Sequence, residues 1–301
     1  MRGHRGWAVA IRPARDAATG RDGRTDAEAE RANRCVSSNP AVHRVSPLTG
    51  PIAAANDGPP ALVVEHLTKR YGTVQALDDV SVSVAAGRCL ALVGESGSGK
   101  TTLLRCINRL VDADGGRVLL DGRDVRDGDP VELRRAIGYV PQEGGLLPHW
   151  RVARNVALVP WLNADRDAGA RARRALALVG LDPDAVSDRW PGELSGGQRQ
   201  RVAVARALAG GQRLLLLDEP FGALDAITRH ELQEMLLTLQ TRGDVTIVLV
   251  THDIGEALRL AHEVLVLRGG HAEQSASPAQ LREAPATPYI SELLLRSGVT
   301  A

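Results

Sequence analysis

Between Met1 and about Pro60 the apolar residues never settle into a period, and the stretch ends in the turn formers Ala55-Asn56-Asp57-Gly58-Pro59-Pro60. Its Arg-, Ala-, Asp- and Gly-rich make-up predicts a flexible extension over residues 1–60. From Ala61 the texture changes. Residues 62–67 read as a strand, and Val80-Ser81-Val82-Ser83-Val84 alternates with the period of two of a half-buried strand. Residues 89–93 form an unbroken apolar run closed by glycine, as a central parallel strand covered on both faces should be, and residues 214–217 and 246–250 repeat that pattern. Helical stretches at 170–179 and 198–208 fall between these runs, so strands alternate with helices and a parallel α/β sheet is predicted. The folded body is expected over residues 61–270, with a short helical tail over 271–301.

Composition narrows the function. No window approaches the roughly 18 consecutive apolar residues that cross a bilayer, and Trp7-Ala8-Val9-Ala10-Ile11 is too short for the core of a secretory signal. With 37 basic and 36 acidic residues the formal charge is +1, which gives no field to gather nucleic acid, and no nucleic-acid partner is expected. Cys35, Cys89 and Cys106 have no C-x-x-C spacing, which argues against a zinc site or a disulfide framework. Lysine occurs only at 69 and 100, so Lys100 stands out.

Lys100 lies in Gly94-Glu95-Ser96-Gly97-Ser98-Gly99-Lys100-Thr101, followed by Thr102, between a buried strand and a helical segment. This is the G-x-x-x-x-G-K-[ST] pattern in the context it requires. Phosphate oxygens must approach the backbone, so side chains are absent at Gly97 and Gly99, while successive amides and a helix N-terminus supply positive potential. Lys100 can reach the β- and γ-phosphates, and the Thr101 hydroxyl can ligate Mg²⁺. A nucleoside triphosphate site also needs a carboxylate at the end of another strand. Leu214-Leu215-Leu216-Leu217-Asp218-Glu219 offers Asp218 for the metal and Glu219 to polarise an attacking water.

Leu194-Ser195-Gly196-Gly197-Gln198, about twenty residues before Asp218, resembles the signature of the ATP-binding subunits of ABC transporters, and the match runs through residues 62–270. The resemblance implies a P-loop NTPase core with a mainly parallel sheet, an antiparallel β subdomain and a helical subdomain, binding ATP and Mg²⁺. It implies that Tyr71 stacks on adenine, that Gln142 is a metal ligand and a link to the membrane subunit, that Asp225 communicates across a dimer, and that His252 contacts the γ-phosphate. Ser195, Gly196 and Gly197 precede the helix that Gln198 begins at 198–208, a second helix N-terminus able to bind phosphate. In the family it serves the partner subunit, so that two chains sandwich two ATP molecules.

The partners so implied are integral-membrane permease subunits, a second ATPase subunit in a homodimer, and indirectly a substrate-binding protein, at the cytoplasmic face of the inner (plasma) membrane. The stretch Glu143-Gly144-Gly145-Leu146-Leu147-Pro148-His149-Trp150, with Asn155-Val156-Ala157-Leu158-Val159-Pro160, is similar to importers of osmoprotectants such as glycine betaine, choline or proline, although Leu147 replaces their usual Phe. The alternatives are an importer of amino acids, sulfonates or polyamines, and an ABC ATPase without transport.

Overall fold

A computed structural model describes residues 60–298. The extension expected over residues 1–60 lies outside the described residues except for Pro60, which begins the first strand. In chain order the strands are β1 (Pro60–Tyr71), β2 (Val74–Ala85), β3 (Cys89–Val93), β4 (Gly115–Leu120), β5 (Arg123–Asp124), β6 (Ile137–Val140), β7 (Leu214–Asp218), β8 (Thr246–Thr251), β9 (Glu263–Arg268) and β10 (His271–Ala276). The helices are α1 (Lys100–Ile107), α2 (Pro130–Ala136), α3 (Val152–Val156), α4 (Leu158–Leu162), α5 (Ala168–Leu178), α6 (Pro183–Val186), α7 (Gly196–Leu208), α8 (Ala226–Thr241), α9 (Ile254–Leu260), α10 (Pro278–Glu283) and α11 (Pro288–Arg296).

The three apolar runs read from the sequence become β3, β8 and β7, neighbours in a six-stranded sheet of order β10-β9-β3-β8-β7-β6. Every pairing in this sheet is parallel except β9 with β10. All residues of β3, β7 and β8 are buried, because each strand feeds two cores at once. Leu215 and Leu217 face one apolar cluster together with Ile247 and Leu249. Leu214 and Leu216 face the other with Val248 and Val250, as alternation along a strand dictates. Each such side chain contributes about 1.5–3 kcal/mol of burial, so an unbroken apolar run is what a two-faced strand requires.

On one face the second cluster joins this sheet to α1 and to a four-stranded antiparallel sheet of order β2-β1-β4-β5. Here Val80, Val82 and Val84 are buried while Ser81 and Ser83 are half-buried, as the alternation predicted. On the other face α7 and α8 pack with α3 and α5, whose Val152, Val156, Ala172 and Leu176 form a small helical layer. The α/β core, the antiparallel sheet and the helical layer together are the fold class expected.

The residues after 270 differ from the helical tail anticipated. Residues 271–276 are β10, paired back on β9 through a turn at Gly269 and Gly270, and the two helices follow only then. The helices are not appended to the surface. Leu281, Tyr289, Ile290 and Leu294 are buried against Ala91, Val93, Val264 and Val266 and complete a third core cluster.

The close seat of α7 on β6 sets a stringent condition at Gly138, where a Cβ would lie 2.5 Å from the Ala207 carbonyl oxygen and 3.1 Å from Leu215 Cδ1. Gly138→Ala is expected to lower unfolding free energy by about 1–3 kcal/mol through overpacking. Urea denaturation should show a lower midpoint at unchanged slope; a wild-type midpoint would contradict this packing.

Candidate active site

The chain leaves β3 at Val93 and turns through residues 94–99 into α1. Glycine is needed at two positions of this turn, for different reasons. Gly99 has φ +106 and a Cβ there would fall 2.5 Å from the Ala76 carbonyl oxygen of β2, so this glycine is required by packing. Gly97 has φ +80 and nothing within 4 Å of a Cβ, which leaves its backbone open to a ligand. No side chain caps the N-terminus of α1 and its first turn carries no acidic residue, so its leading amides keep their positive potential. Glu95, Ser96 and Gly97 are exposed along the loop, Ser98 is buried, and Thr101 and Thr102 are half-buried.

Lys100 is only 6% exposed, and its Nζ donates to the carbonyls of Gly94 and Glu95, each at 2.7 Å. Burial holds this ammonium below the ordinary lysine range, opposed by the negative charges of Glu219, Asp218 and Glu95. Across the gap, Thr101 Oγ1 donates to Asp218 Oδ1 at 3.0 Å, tying the start of α1 to the end of β7. Burial pushes the Asp218 carboxyl above the ordinary carboxylate range, against the Thr101 hydrogen bond and the charge of Arg105. Thr101 Oγ1, Asp218 and the Gln142 amide oxygen are hard oxygen donors, the kind Mg²⁺ prefers. Among the described residues no three His, Cys, Asp or Glu side chains are grouped to hold a metal. A cation at Thr101, Asp218 and Gln142 would therefore draw its remaining ligands from phosphate and water.

Glu219 follows in a left-handed backbone conformation, φ +47, which costs a non-glycine residue about 1–2 kcal/mol. Its amide donates to Val250 O at 3.0 Å and so holds the strained residue against β8. The carboxylate is thereby aimed across the strand ends. Glu219 Oε2 accepts from Gln142 Nε2 at 3.3 Å and lies 3.5 Å from His252 Nδ1. The carboxyl ends of three adjacent strands, β6, β7 and β8, thus deliver Gln142, Glu219 and His252 to one point beside the phosphate loop, the place where open α/β sheets bind ligands.

Residues that the sequence reading passed over hold His252 in place. Thr251 Oγ1 donates to the buried Glu256 Oε2 at 2.5 Å and accepts from the Asp253 amide at 3.0 Å. Asp253 Oδ1 caps α9 by accepting from Gly255 N at 2.7 Å. Burial raises the Glu256 carboxyl above its ordinary range. The Asp253-x-x-Glu256 spacing at a helix start was the available signal. A cavity of about 40 Å³ lies between Glu219, His252, Glu256 and Arg229.

The other expected residues make no described hydrogen bond to this cluster. Ser195 and Gln198 close a reciprocal capping box on α7. Gly196 faces Leu224, with a Cβ there 3.5 Å from Leu224 Cδ2. Asp225 caps α8 through Ile227 N and Thr228 N and accepts from Thr228 Oγ1 at 2.7 Å. Tyr71 is 47% exposed at the β1–β2 turn, with Lys69 Nζ 5.5 Å from its ring centroid. The described hydrogen bonds of Ser195, Gln198 and Asp225 are all local and none reaches the phosphate loop.

A strand-loop-helix with a buried lysine, facing an Asp-Glu pair and a glutamine and histidine from neighbouring strand ends, is the arrangement expected of a P-loop nucleotide site of the ABC type. A family model described as ABC transporter matches residues 77–222. The glycine betaine uptake system ATP-binding protein YehX of Escherichia coli (strain K12) is 43% identical over 236 residues, 77% of this chain and 76% of that protein. The chain belongs to the family of ABC transporter ATP-binding proteins. It is also 44% identical to the choline transport ATP-binding protein OpuBA of Bacillus subtilis (strain 168), of whose length it spans 62%. It is 47% identical to the sulfate/thiosulfate import ATP-binding protein CysA of Bordetella bronchiseptica, over 76% of this chain and 66% of that one. The dimeric structure of the ABC transporter cassette MJ0796 superposes with a TM-score of 0.65 at 33% identity, over 72% of this chain and 98% of that one.

Gly197 offers a test of how α7 meets α8, since a Cβ there would fall 2.1 Å from Thr228 Cγ2. Gly197→Ala should destabilise by about 1–3 kcal/mol. Adding Thr228→Ser deletes the obstructing methyl, keeps the hydroxyl, and should restore most of the loss in a double-mutant cycle. Simple additivity of the two changes would contradict this contact.

Proposed function

We propose that this chain is the ATP-hydrolysing subunit of an ABC importer, acting as a dimer with integral-membrane permease subunits. The observation that carries the reading is the convergence of Gln142 and His252 on Glu219 Oε2 beside the Lys100 loop. Residues 97–101, with the Lys100 ammonium among them, bind and orient the triphosphate through backbone amides and that charge. Bound Mg²⁺, held by Thr101, Asp218 and the Gln142 oxygen, would supply neutralisation of the phosphate charge. Glu219 takes the proton of the attacking water, and its imposed backbone angle fixes the direction of that carboxylate. The Gln142 amide donates to Glu219 through Nε2, which leaves its oxygen free for the cation. His252 orients the Glu219 carboxylate and contacts the γ-phosphate, and Tyr71 stacks on the base.

Ser195, Gly196, Gly197 and Gln198, together with Asp225, then serve the nucleotide of a second copy. Their hydrogen bonds, none of which reaches the phosphate loop, support this, as does the dimeric form of the MJ0796 cassette. An aromatic and arginine-rich face on the helical layer, with Arg154 4.1 Å from the Trp150 ring and Arg151 5.0 Å from the Trp190 ring, suits the permease contact. No helix of the described residues is long and apolar enough to cross a membrane. We place the chain at the cytoplasmic face of the inner (plasma) membrane, held there by the permease, with the substrate-binding protein an indirect partner.

The solute we favour is an osmoprotectant such as glycine betaine, choline or proline, supported by the names of the YehX and OpuBA relatives and by the stretch at 143–160. The second reading is an importer of another solute class, favoured by the 47% identity to the sulfate/thiosulfate relative. Growth of a deletion strain at high salt with single betaines, against growth on sulfate as sulfur source, separates the two.

Glu219→Gln is expected to retain ATP binding, accumulate a closed dimer on size-exclusion chromatography, and lose about 10²- to 10⁴-fold in turnover; undiminished hydrolysis excludes Glu219 as the base. Lys100→Ala is expected to weaken ATP binding by about 10- to 100-fold in calorimetry. Wild-type affinity in that variant contradicts the role of the ammonium.

A further inference from the structure

We propose that Tyr289 is a positioning residue of the phosphate loop, and that through it α11 clamps the loop to the helix that follows His252; the inference rests on the ATPase reading and deepens it. The Glu95 amide donates to Tyr289 Oη at 3.2 Å across 194 residues of sequence. The carbonyl of the same residue accepts from Lys100 Nζ at 2.7 Å. One residue of the loop therefore links the phenol on one side to the lysine ammonium on the other. The neighbouring Gly94 is also set from the C-terminal part of the fold, because a Cβ there would lie 2.1 Å from the Leu267 carbonyl oxygen of β9.

Tyr289 is itself held firmly. It is 7% exposed, and the Arg268 guanidinium lies 4.6 Å from its ring centroid. Its cluster includes Val93, the residue from which the phosphate loop departs, and Ile254 and Ala257 of α9, which begins two residues after His252. The packing of α11 thus touches both sides of the site: the carbonyls that anchor Lys100, and the helix whose start fixes the histidine. Loss of the phenol oxygen leaves the Glu95 amide without this restraint, so that the ammonium and the amides are less well arranged before nucleotide arrives. The cost falls on nucleotide binding rather than on the chemical step.

Tyr289→Phe removes one oxygen and keeps the ring, its burial and its contact with Arg268. The expected result is a rise of about threefold to tenfold in KM for ATP with kcat little changed, the effect of one lost hydrogen bond. The thermal midpoint without nucleotide should stay near wild type, and hydrogen exchange of the segment 94–99 should quicken in the nucleotide-free variant. A purely structural tyrosine would instead lower the midpoint and leave KM unmoved. Wild-type KM together with wild-type exchange overturns the proposal. Lys100→Ala and wild type run alongside: a wild-type protein without ATPase activity defeats the functional reading, and the exchange comparison then still decides whether the phenol holds the loop.

Discussion

Lys100 and Asp218, two opposite charges, are buried at 6% and 3% exposure and make no ion pair with each other. The ammonium donates to two loop carbonyls and, at 3.4 Å, to Ser98 Oγ, while the carboxylate accepts from the Thr101 hydroxyl. Burying either charge is costly unless it is neutralised nearby. An arrangement that keeps a buried cation and a buried anion a short way apart is suited to a ligand that is itself a polyanion carrying a divalent cation. Much of the remaining architecture exists to hold that separation. β3 and β7 flank β8 in the sheet, so their carboxyl ends present the two charges one strand apart.

The same sheet accounts for the chemistry at Glu219. Its left-handed backbone is tolerated because the amide is tied to β8 and because Phe221, the only phenylalanine of the chain, is buried two residues on. Strain of this kind persists only where the surroundings over-determine it. Here the result is a carboxylate directed toward a glutamine and a histidine that arrive from two other strands. Beneath the histidine, the Thr251–Glu256 hydrogen bond and the Asp253 cap supply a rigid base.

What the sequence made legible follows from which contacts are local. The buried strands β3, β7 and β8 could be read because a two-faced strand must be apolar throughout, and the loop at 94–101 because phosphate approach constrains residue types at fixed spacing. β4 opens with Gly115-Gly116-Arg117, and β6 is four residues long with Gly138 inside it, so neither carries a strand pattern of its own. Their conformation comes from partners distant in sequence. The strand β10 is half-buried and polar, which concealed it within what read as a helical tail. Glu256 had a local sign in the capping spacing. Tyr289 had none, since its hydrogen bond with the Glu95 amide is set by tertiary packing alone.

The most direct test of the central claim is the melting temperature of the purified full chain as nucleotide and magnesium are added. A ligand that satisfies both buried charges stabilises the folded state by mass action, by about 2.7 kcal/mol at a hundredfold excess over Kd. For a domain of this size that corresponds to a rise of roughly 5–10 °C. The account predicts this rise with ATP and Mg²⁺ together, and much less with AMP or with Mg²⁺ alone. An unchanged melting temperature at millimolar ATP and Mg²⁺ would contradict it.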